Sequence, residues 1–328
     1  MNTLIDTYGR VHRNLRVSLT DRCNLRCTYC MPNDFAAWLP SDHQLTTDEL
    51  VRVIDIAVKE GINEVRLTGG EPLLRPDIVE IVARINAIEN APTLTMTTNA
   101  LTLEKVAKPL ADAGLTRINI SLDTLDRDRF KLMTHRDRID DVFAGIKAAQ
   151  DAGINPIKIN AVLLKGLNAD EAPALLEWAL TNNLALRFIE QMPLDAGGIW
   201  ERSSLVTADD IYADLSQKYE LTPCDGRGSS PAEEFFVNGG PATVGIIGSV
   251  TRPFCGACDR LRLTSDGQLR SCLFSLEEMD LRTAMRNGAS DEDIAARFRK
   301  TVAGKLPGHG INDPKFIQPQ RPMSAIGG

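Results

Sequence analysis

Six of the seven cysteines in the sequence fall into two sets of three. The first set lies near the N-terminus and the second near the C-terminus; they are Cys23, Cys27 and Cys30, and Cys255, Cys258 and Cys272. An odd number of cysteines in so long a chain is a poor basis for a disulfide framework, and only Cys224 stands outside the two sets. Grouped thiolates are metal ligands, so this spacing indicates two metal sites.

The spacing of the first cysteine set suits an iron-sulfur cluster with one open position. Three residues separate Cys23 from Cys27 and two separate Cys27 from Cys30, so a single loop can direct all three sulfurs inward. A cubane cluster normally takes four cysteine ligands, and three leave one iron for another ligand. A structural zinc site with His43 as its fourth ligand is the alternative that spacing leaves open.

The second cysteine set has the same open character. Cys255 and Cys258 are close in sequence, and the residues SDGQ at 265–268 predict a hairpin that folds Cys272 back toward them. The favoured interpretation is a second cluster whose vacant iron position binds a nitrogen or oxygen atom of a substrate. Structural zinc is again the alternative, with a distant fourth ligand such as Cys224.

An arginine pair with a single residue between its members follows Cys258 in the second set. Arg260 and Arg262 are two residues apart, so both side chains lie on one face if this segment is a strand. Paired guanidinium groups bind phosphate oxygens through bidentate, charge-assisted hydrogen bonds. A solvated strand face is the ordinary interpretation of such a pair, but the neighbouring cysteines favour a phosphate site.

The elements that must position these residues alternate between strands and helices. Six segments rich in β-branched residues predict strands at 15–19, 64–68, 93–98, 117–122, 157–164 and 184–190. Helical patterns follow them, between Thr47 and Gly61 and near 76–89, 102–113, 139–152 and 169–182. Such units in series predict an α/β fold with a parallel sheet and right-handed crossovers. Periodicity alone allows either an incomplete barrel or an open doubly wound sheet.

Chemically useful residues follow four of the predicted strands. Cys23 follows the first strand, Gly69-Gly70-Glu71-Pro72 the second, Asn99 the third and Asp123 the fourth. Ligands of parallel sheets bind at the carboxyl ends of the strands. Glycines let a backbone approach a ligand closely, and Glu71 supplies an anion. We therefore expect one site at this edge of the sheet.

The character of the sequence changes beyond about residue 200. A helix is predicted at 207–219, followed by a polar stretch, short strands, helical segments at 277–300 and a Gly/Pro-rich tail. We therefore predict two domains, a larger one over 1–200 and a smaller α+β domain over 201–328.

Composition and charge exclude several classes of protein. The 328 residues include 37 Lys plus Arg against 44 Asp plus Glu, a net charge of −7, which argues against a nucleic-acid interface. Hydrophobic residues make up 43%, enough for a sizeable core. No apolar run reaches the ~20 residues that span a bilayer, and the start of the sequence lacks the pattern of a secretory signal. These features predict a soluble cytoplasmic protein without membrane contact.

The segment Cys23-Asn-Leu-Arg-Cys27-Thr-Tyr-Cys30, together with Gly69-Gly70-Glu71-Pro72, resembles the radical S-adenosylmethionine (SAM) superfamily. This resemblance implies an incomplete (βα)6 TIM-like barrel and a [4Fe-4S] cluster on the first cysteine set. It also implies that SAM chelates the open iron and yields a 5′-deoxyadenosyl radical, the cofactor carrying the difficult chemistry. The residues implied to hold SAM are Tyr29, Gly70, Ser121 and Met192.

Further motifs extend the resemblance to the radical SAM enzymes of molybdenum cofactor biosynthesis. They include Asp6-Thr-Tyr-Gly-Arg10, Thr97-Thr-Asn99, Arg187-Phe-Ile-Glu190 and Ile326-Gly-Gly328. The resemblance implies a lyase that acts on GTP: the radical takes hydrogen from ribose C3′, and C3′ then attacks C8 of the guanine. A second [4Fe-4S] cluster is implied to bind the guanine ring. The implied GTP contacts are Arg16, Arg66, Thr97, Lys158, Arg260, Leu261 and Arg262.

The same resemblance implies further catalytic residues and partners. In addition to the cysteines of the first set, Gly327 and Gly328 are implied to be catalytic residues that insert toward the active site. Composition alone predicts a frayed tail at these positions. The implied partners are a flavodoxin-like electron donor, a downstream cyclic pyranopterin monophosphate synthase and a second copy in a homodimer. A radical SAM enzyme that modifies a peptide and a zinc-stabilised binding module are the alternatives from other functional classes.

Overall fold

The computed structural model describes residues 3–31, 38–195, 198 and 200–327, so Gly328 lies outside the described residues. All six predicted strands are present, with bounds that differ by at most two residues. They are β1 (Asn14–Ser18), β2 (Glu64–Thr68), β3 (Thr93–Thr98), β4 (Arg117–Ser121), β5 (Ile157–Val162) and β6 (Ala185–Ile189). The alternation that the sequence predicts is therefore confirmed.

The helices between these strands also follow the prediction, with two differences. They are α1 (Thr47–Lys59), α2 (Ile78–Asn86), α3 (Ala107–Asp112), α4 (Arg127–Thr134), α5 (Ile139–Asp151) and α6 (Ala172–Thr181). The segment predicted as one helix at 102–113 divides into a short 3-10 helix, Leu103–Lys105, and α3. Helix α4 is not predicted, because its sequence is mostly polar.

The remaining elements belong to the C-terminal part of the chain. They are α7 (Ala208–Ser216), β7 (Leu221–Pro223), β8 (Glu233–Val237), β9 (Thr243–Ile247), β10 (Arg260–Leu263), β11 (Gln268–Arg270), β12 (Met279–Asp280), α8 (Arg282–Arg286), α9 (Asp291–Ala303) and α10 (Met323–Ile326). The predicted hairpin at 265–268 is confirmed, since β10 and β11 pair antiparallel with Arg262 opposite Arg270.

All twelve strands form one sheet, in the order β12-β11-β10-β1-β2-β3-β4-β5-β6-β9-β8-β7. Strands β1 to β6 are parallel, and the C-terminal part extends the sheet at both edges: β10 pairs parallel with β1, and β9 pairs parallel with β6. The strands of the C-terminal part therefore do not make a sheet of their own, and the division into 1–200 and 201–328 stays a prediction.

The sheet curls around a cavity rather than lying open. Strands β10 and β6 are six steps apart in the sheet, which would separate them by ~29 Å on a flat surface. Yet Arg262 of β10 and Ile189 of β6 line the same cavity of about 320 Å³. Of the two architectures that periodicity allows, this geometry is that of the incomplete barrel.

The helices cover the outer face of the curled sheet. In α1, Thr46 and Glu49 form a capping box, and Leu50, Val53 and Ile54 are fully buried against the sheet. No helix among the described residues has the length and apolar character needed to cross a bilayer.

Glu190, just beyond β6, joins the barrel to the C-terminal part. Its carboxylate is fully buried and accepts hydrogen bonds from the backbone N–H groups of Ala208 (2.7 Å), Val250 (2.7 Å) and Thr251 (2.9 Å). These donors belong to the start of α7 and to the loop after β9. One carboxylate therefore satisfies the buried N–H groups of Ala208 and Val250 and that of the exposed Thr251, from two separate segments.

Candidate active site

Both cysteine sets face the same cavity. Its lining includes all six cysteines: Cys23, Cys27, Cys30, Cys255, Cys258 and Cys272. The first set follows the carboxyl end of β1, whereas Cys258 precedes the amino end of β10, which runs parallel to β1 with Asn14 opposite Arg260. The two sets therefore lie at opposite ends of strand β1, whose five residues span ~16 Å.

The loop that carries the first cysteine set is bound to the Gly-Gly-Glu-Pro segment. The N–H of Gly70 donates to the carbonyl of Thr20 (2.7 Å), and the N–H of Glu71 donates to that of Arg22 (2.7 Å). A Cβ atom on Gly70 would lie 2.3 Å from the carbonyl oxygen of Arg22. The chain's own backbone thus requires glycine at this position, while Gly70 also lines the cavity.

Glu71 connects the carboxyl ends of β2 and β3. Its side chain is 1% exposed and accepts hydrogen bonds from Oγ1 of Thr98 (2.6 Å) and the N–H groups of Asn99 (2.7 Å) and Leu73 (3.0 Å). Burial raises the pKa of Glu71 to about 7, although these donors act against the shift. The anion expected from the sequence is therefore engaged by the protein's own donors.

Tyr29 and Asp123 attach the first cysteine loop to the end of β4. The Tyr29 hydroxyl donates to Oδ2 of Asp123 (2.7 Å), and the N–H of Val162 donates to Oδ1 (2.8 Å). Burial raises the pKa of Asp123 to about 6. All four residues expected to hold SAM line the cavity: Tyr29, Gly70, Ser121 and Met192.

The electrostatic surroundings of the two cysteine sets differ. Burial is the main cause that raises the pKa of the Cys23 thiol to about 11 and that of Cys30 to about 12, and after burial and the charge of Asp123 the charges of Cys30 and Cys23 also raise the pKa of Cys27. Burial would also raise the pKa of Cys258, but the charges of Lys305 and Arg260 outweigh it and lower that pKa. Cys258 is thus a favourable place for an anion, whereas burial raises the pKa of Cys255 in the same set.

The cysteines of the first set suit a multi-iron cluster. Their sulfurs face one cavity from a single loop, and three thiolates leave one corner of a cubane for a small molecule. Within the described ranges, no three His, Cys, Asp or Glu side chains converge as they would around a single metal ion.

Three arginines form a row across neighbouring strands, which we call the arginine row: Arg262 of β10, Arg16 of β1 and Arg66 of β2. Arg262 and Arg66 are the register partners of Arg16 on either side. Burial, with the charges of Arg262 and Arg66, holds the pKa of Arg16 well below its usual value. Among the described residues, nothing accepts a hydrogen bond from Nε of Arg16. Arg262 is buried and Arg16 and Arg66 are half-buried, and three neighbouring cations in this arrangement favour binding of a polyanion.

The other residues expected to contact GTP are placed differently. Thr97 and Arg260 line the cavity, and Arg260 also stacks over the Phe254 ring at 5.0 Å. Lys158 lies on the same face of β5 as Asn160, two residues nearer the amino end of the strand. The side chain of Leu261 is fully buried in the hydrophobic core on the opposite face of β10, because side chains alternate along a strand.

The C-terminal tail is inserted into the barrel rather than frayed. Ile326 is fully buried, and the Gly327 carbonyl accepts a hydrogen bond from Arg262. Gly327 has φ +83°, and a Cβ there would lie 2.9 Å from Cγ2 of Thr68 and 3.1 Å from Cβ of Ser18. The position therefore requires glycine for both its conformation and its space.

Among the lining residues to which the sequence assigns no role, three carry polar or titratable groups of chemical interest: Asn160, Arg187 and His309. Asn160 and Arg187 are register partners on β5 and β6, and within the described chain Oδ1 of Asn160 has no hydrogen-bond partner. The signal for both was available, since each lies at an inward-facing position of a predicted strand. The ring centroids of His309 and Phe274 are 5.2 Å apart. His309 belongs to a loop whose position no local sequence pattern indicates.

Two family models match the chain. The model of the Radical SAM superfamily matches residues 17–179, and that of Molybdenum Cofactor Synthesis C matches residues 184–311. A GTP 3′,8-cyclase of Streptomyces coelicolor is 58% identical over 330 residues, covering 100% of this chain and 97% of the relative. The chain belongs to the GTP 3′,8-cyclase family. A second member, from Mycolicibacterium smegmatis, is 54% identical and covers 99% of this chain and 92% of its own.

The solved structures agree with the fold of this family. Streptococcus suis SuiB, crystallised with S-adenosylmethionine, superposes with a TM-score of 0.63 at 14% identity, covering 95% of this chain and 76% of SuiB. At this identity the likeness concerns the fold alone. Membership of the radical SAM superfamily implies SAM and a [4Fe-4S] cluster as cofactors.

Proposed function

We propose that this cavity is the active site at which the protein converts GTP to (8S)-3′,8-cyclo-7,8-dihydroguanosine 5′-triphosphate, the first step of molybdenum cofactor biosynthesis. The observation that carries the proposal is the placement of two incomplete cysteine sets at opposite ends of one cavity, with the arginine row between them. A family of GTP 3′,8-cyclases and a molybdenum cofactor synthesis domain support the same reaction.

The first cysteine set would hold a [4Fe-4S] cluster, and Tyr29, Gly70, Ser121 and Met192 would hold SAM beside it. When bound, these two cofactors supply the one-electron chemistry that removes a hydrogen atom from ribose C3′ before C3′ joins C8. The protein's own task is to bind and orient. The Tyr29–Asp123 hydrogen bond keeps the cysteine loop against β4, and the Gly70–Thr20 hydrogen bond keeps it against β2.

The arginine row would bind the triphosphate of GTP. Arg16 is the central member, and its Nε, buried and without a partner in the described chain, is available to an anionic oxygen. The charge of a triphosphate would offset the repulsion among the three neighbouring guanidinium groups. Thr97, Lys158 and Arg260 are the further contacts in this proposal, whereas Leu261 could contribute only through its backbone.

The second cysteine set would hold a second [4Fe-4S] cluster whose open position binds the guanine. The lowered pKa of Cys258 favours a thiolate ligand there. The inserted tail would close the cavity and exclude water, with Gly327 and Gly328 bringing backbone but no side chain into a narrow space. In this proposal residues 1–200 carry the SAM site and 201–328 the second cluster and the tail.

The partners and location complete the proposal. The protein would take electrons from a flavodoxin-like donor, pass its product to a cyclic pyranopterin monophosphate synthase, form a homodimer and act in the cytoplasm.

Anaerobic incubation with GTP, SAM and a reductant, followed by mass spectrometry of the products, tests the reaction. We expect the cyclised triphosphate and 5′-deoxyadenosine from the reconstituted protein, with about eight irons and no zinc per chain. Arg16→Gln should weaken GTP binding by about 10- to 100-fold, since one buried charged contact contributes ~1.5–3 kcal/mol. Arg13→Gln is the matched control, because Arg13 precedes the same strand but is exposed.

Two results would contradict the proposal. Stoichiometric zinc in both cysteine sets would favour a binding module, and SAM cleavage without detectable GTP binding would favour a peptide-modifying enzyme.

A further inference from the structure

A buried polar network joins the N-terminal segment Asp6–His12 to the second cysteine set. Asp6, Arg10, His12 and Lys305 are each less than a tenth exposed. The carboxylate of Asp6 accepts from Nε of Arg10 (2.6 Å) and contacts Nε2 of His12 (3.1 Å). The other contacts of Arg10 and Lys305 connect these buried groups to the second cysteine set.

Arg10 links this network to the backbone on both sides of the second cysteine set. Its guanidinium donates to the carbonyls of Cys255 (2.8 Å), Leu306 (2.7 Å) and Pro307 (3.1 Å). The sequence motif Asp6-Thr-Tyr-Gly-Arg10 therefore connects the loop of Cys255 to the segment that follows α9.

Lys305 reaches the sulfur of the second set directly. Its ammonium group lies 3.7 Å from Sγ of Cys258 and donates to the carbonyls of Cys258 (3.4 Å) and Arg260 (2.7 Å). Nδ1 of His12 lies 3.5 Å away on the other side. The ammonium group is thus held between the N-terminal network and the start of β10.

The charges of this network do not balance without a thiolate. Asp6 offsets the charge of Arg10, with which it forms a buried ion pair. Among the described residues, no carboxylate forms an ion pair with Lys305, whereas the sulfur of Cys258, which can carry a negative charge, lies 3.7 Å from its ammonium group. A buried ammonium is costly unless an anion accompanies it, so the pocket around Lys305 is built for an anionic sulfur ligand.

We propose that Lys305, held by the segment Asp6–His12, is a positioning residue that keeps the second cysteine set loaded with its cluster and sets the potential of that cluster. The inference rests on the second cluster of the proposed function. An ammonium group beside a ligand sulfur stabilises the added negative charge of the reduced cluster, and hydrogen bonds to ligand atoms strengthen metal retention. Removing the charge should therefore lower the midpoint potential and speed iron loss.

The test isolates the second set by replacing Cys23, Cys27 and Cys30 with Ala in the full-length chain. This background should retain about four irons per chain. Adding Lys305→Gln should speed iron loss to a chelator by about 10- to 100-fold and shift the midpoint potential, followed by EPR, to more negative values. Lys305→Arg, which keeps the charge, should restore most of both properties. Lys300→Gln is the control, because Lys300 lies exposed on α9.

Each outcome bears on a separate part of the inference. Iron retention and potential unchanged in Lys305→Gln would overturn it, while an iron-free background would overturn the second cluster and the inference together. Should Lys305→Gln fail to fold, Asp6→Asn is the alternative variant. It weakens the contacts of Asp6 with Arg10 and His12, which hold Lys305, and leaves Lys305 itself in place. We expect the same two changes in that variant at smaller size, and parental behaviour there would also overturn the inference.

Discussion

Replacing Gly327 with Ala should release the tail from the barrel without unfolding the protein. Gly327 has φ +83° and ψ 103°, a conformation that costs an alanine ~1–3 kcal/mol. The added Cβ would also lie 2.9 Å from Thr68 Cγ2 and 3.1 Å from Ser18 Cβ, an overpacking that costs ~1–3 kcal/mol. Because both neighbours belong to the central strands, they have little freedom to move.

The two costs together amount to about 2–4 kcal/mol if the neighbours relax in part, and this acts on tail docking alone. At ~1.4 kcal/mol per factor of ten, the docked state should lose about 30- to 1,000-fold in population relative to the undocked state. Hydrogen exchange measured by mass spectrometry on the peptide 312–328 would detect this as faster exchange. The melting temperature of the sheet should stay within a few degrees, since a terminal segment can leave without opening the core.

Gly310→Ala is the matched control for this experiment. Gly310 has φ +67° in the same C-terminal segment, but among the described residues a Cβ there meets no atom within 4 Å. It therefore carries the backbone cost without the clash, and its exchange should change much less. Tail exchange at the parental rate in Gly327→Ala would refute the argument that this position requires glycine.

Three further predictions concern other parts of the molecule. Glu190→Gln should lower the free energy of unfolding of the apo protein in urea by ~2–4 kcal/mol, because it leaves buried N–H donors unsatisfied. The control Glu201→Gln changes an exposed residue and should have little effect. Equal unfolding midpoints for the two variants would contradict this prediction. Burial would raise the pKa of Asp266, but hydrogen bonds from Arg321 and Thr264, together with the charge of Arg321, outweigh it and lower that pKa. The stability difference between the parent and Asp266→Asn should therefore be present above the usual carboxyl pKa and shrink as pH falls below it; a constant difference from pH 6 to pH 3 would exclude this account. Gly70→Ala should prevent iron loading of the first cysteine set, since its Cβ would overlap the Arg22 carbonyl, and full loading would show that the loop can relax.

The strands could be predicted because each is a short apolar, β-branched run bounded by turn residues, as buried parallel strands are. Helix α4 is not predicted, and its N-cap is seen only in the structure, where Asp126 accepts a hydrogen bond from the N–H of Arg129 (2.8 Å). Its polar sequence hid the few buried positions, such as Phe130 and Met133. Local patterns thus predict elements in which buried apolar residues recur regularly, and they miss elements with only a few buried positions.

The C-terminal strands show a different limit. The sequence predicts β10 and β11 as a hairpin, because the turn residues are local. It does not predict that β10 pairs with β1 while β9 pairs with β6, since these pairings join segments far apart in the chain. The placement of the arginine row depends on them, because Arg262 becomes the neighbour of Arg16 only through the pairing of β10 with β1.

By itself, the sequence determined which chemistry is possible: cysteine spacing, glycine positions and the alternation of strands with helices are local properties, and local sterics and ligand preferences act on them directly. Only the tertiary structure decided which groups meet. The curvature of the sheet brings both cysteine sets to one cavity, sets Gly327 beside Arg262 and places Lys305 against Cys258. These contacts arise from packing between segments that are distant in the sequence. Their energy depends on the whole fold, so no single stretch of residues predicts them.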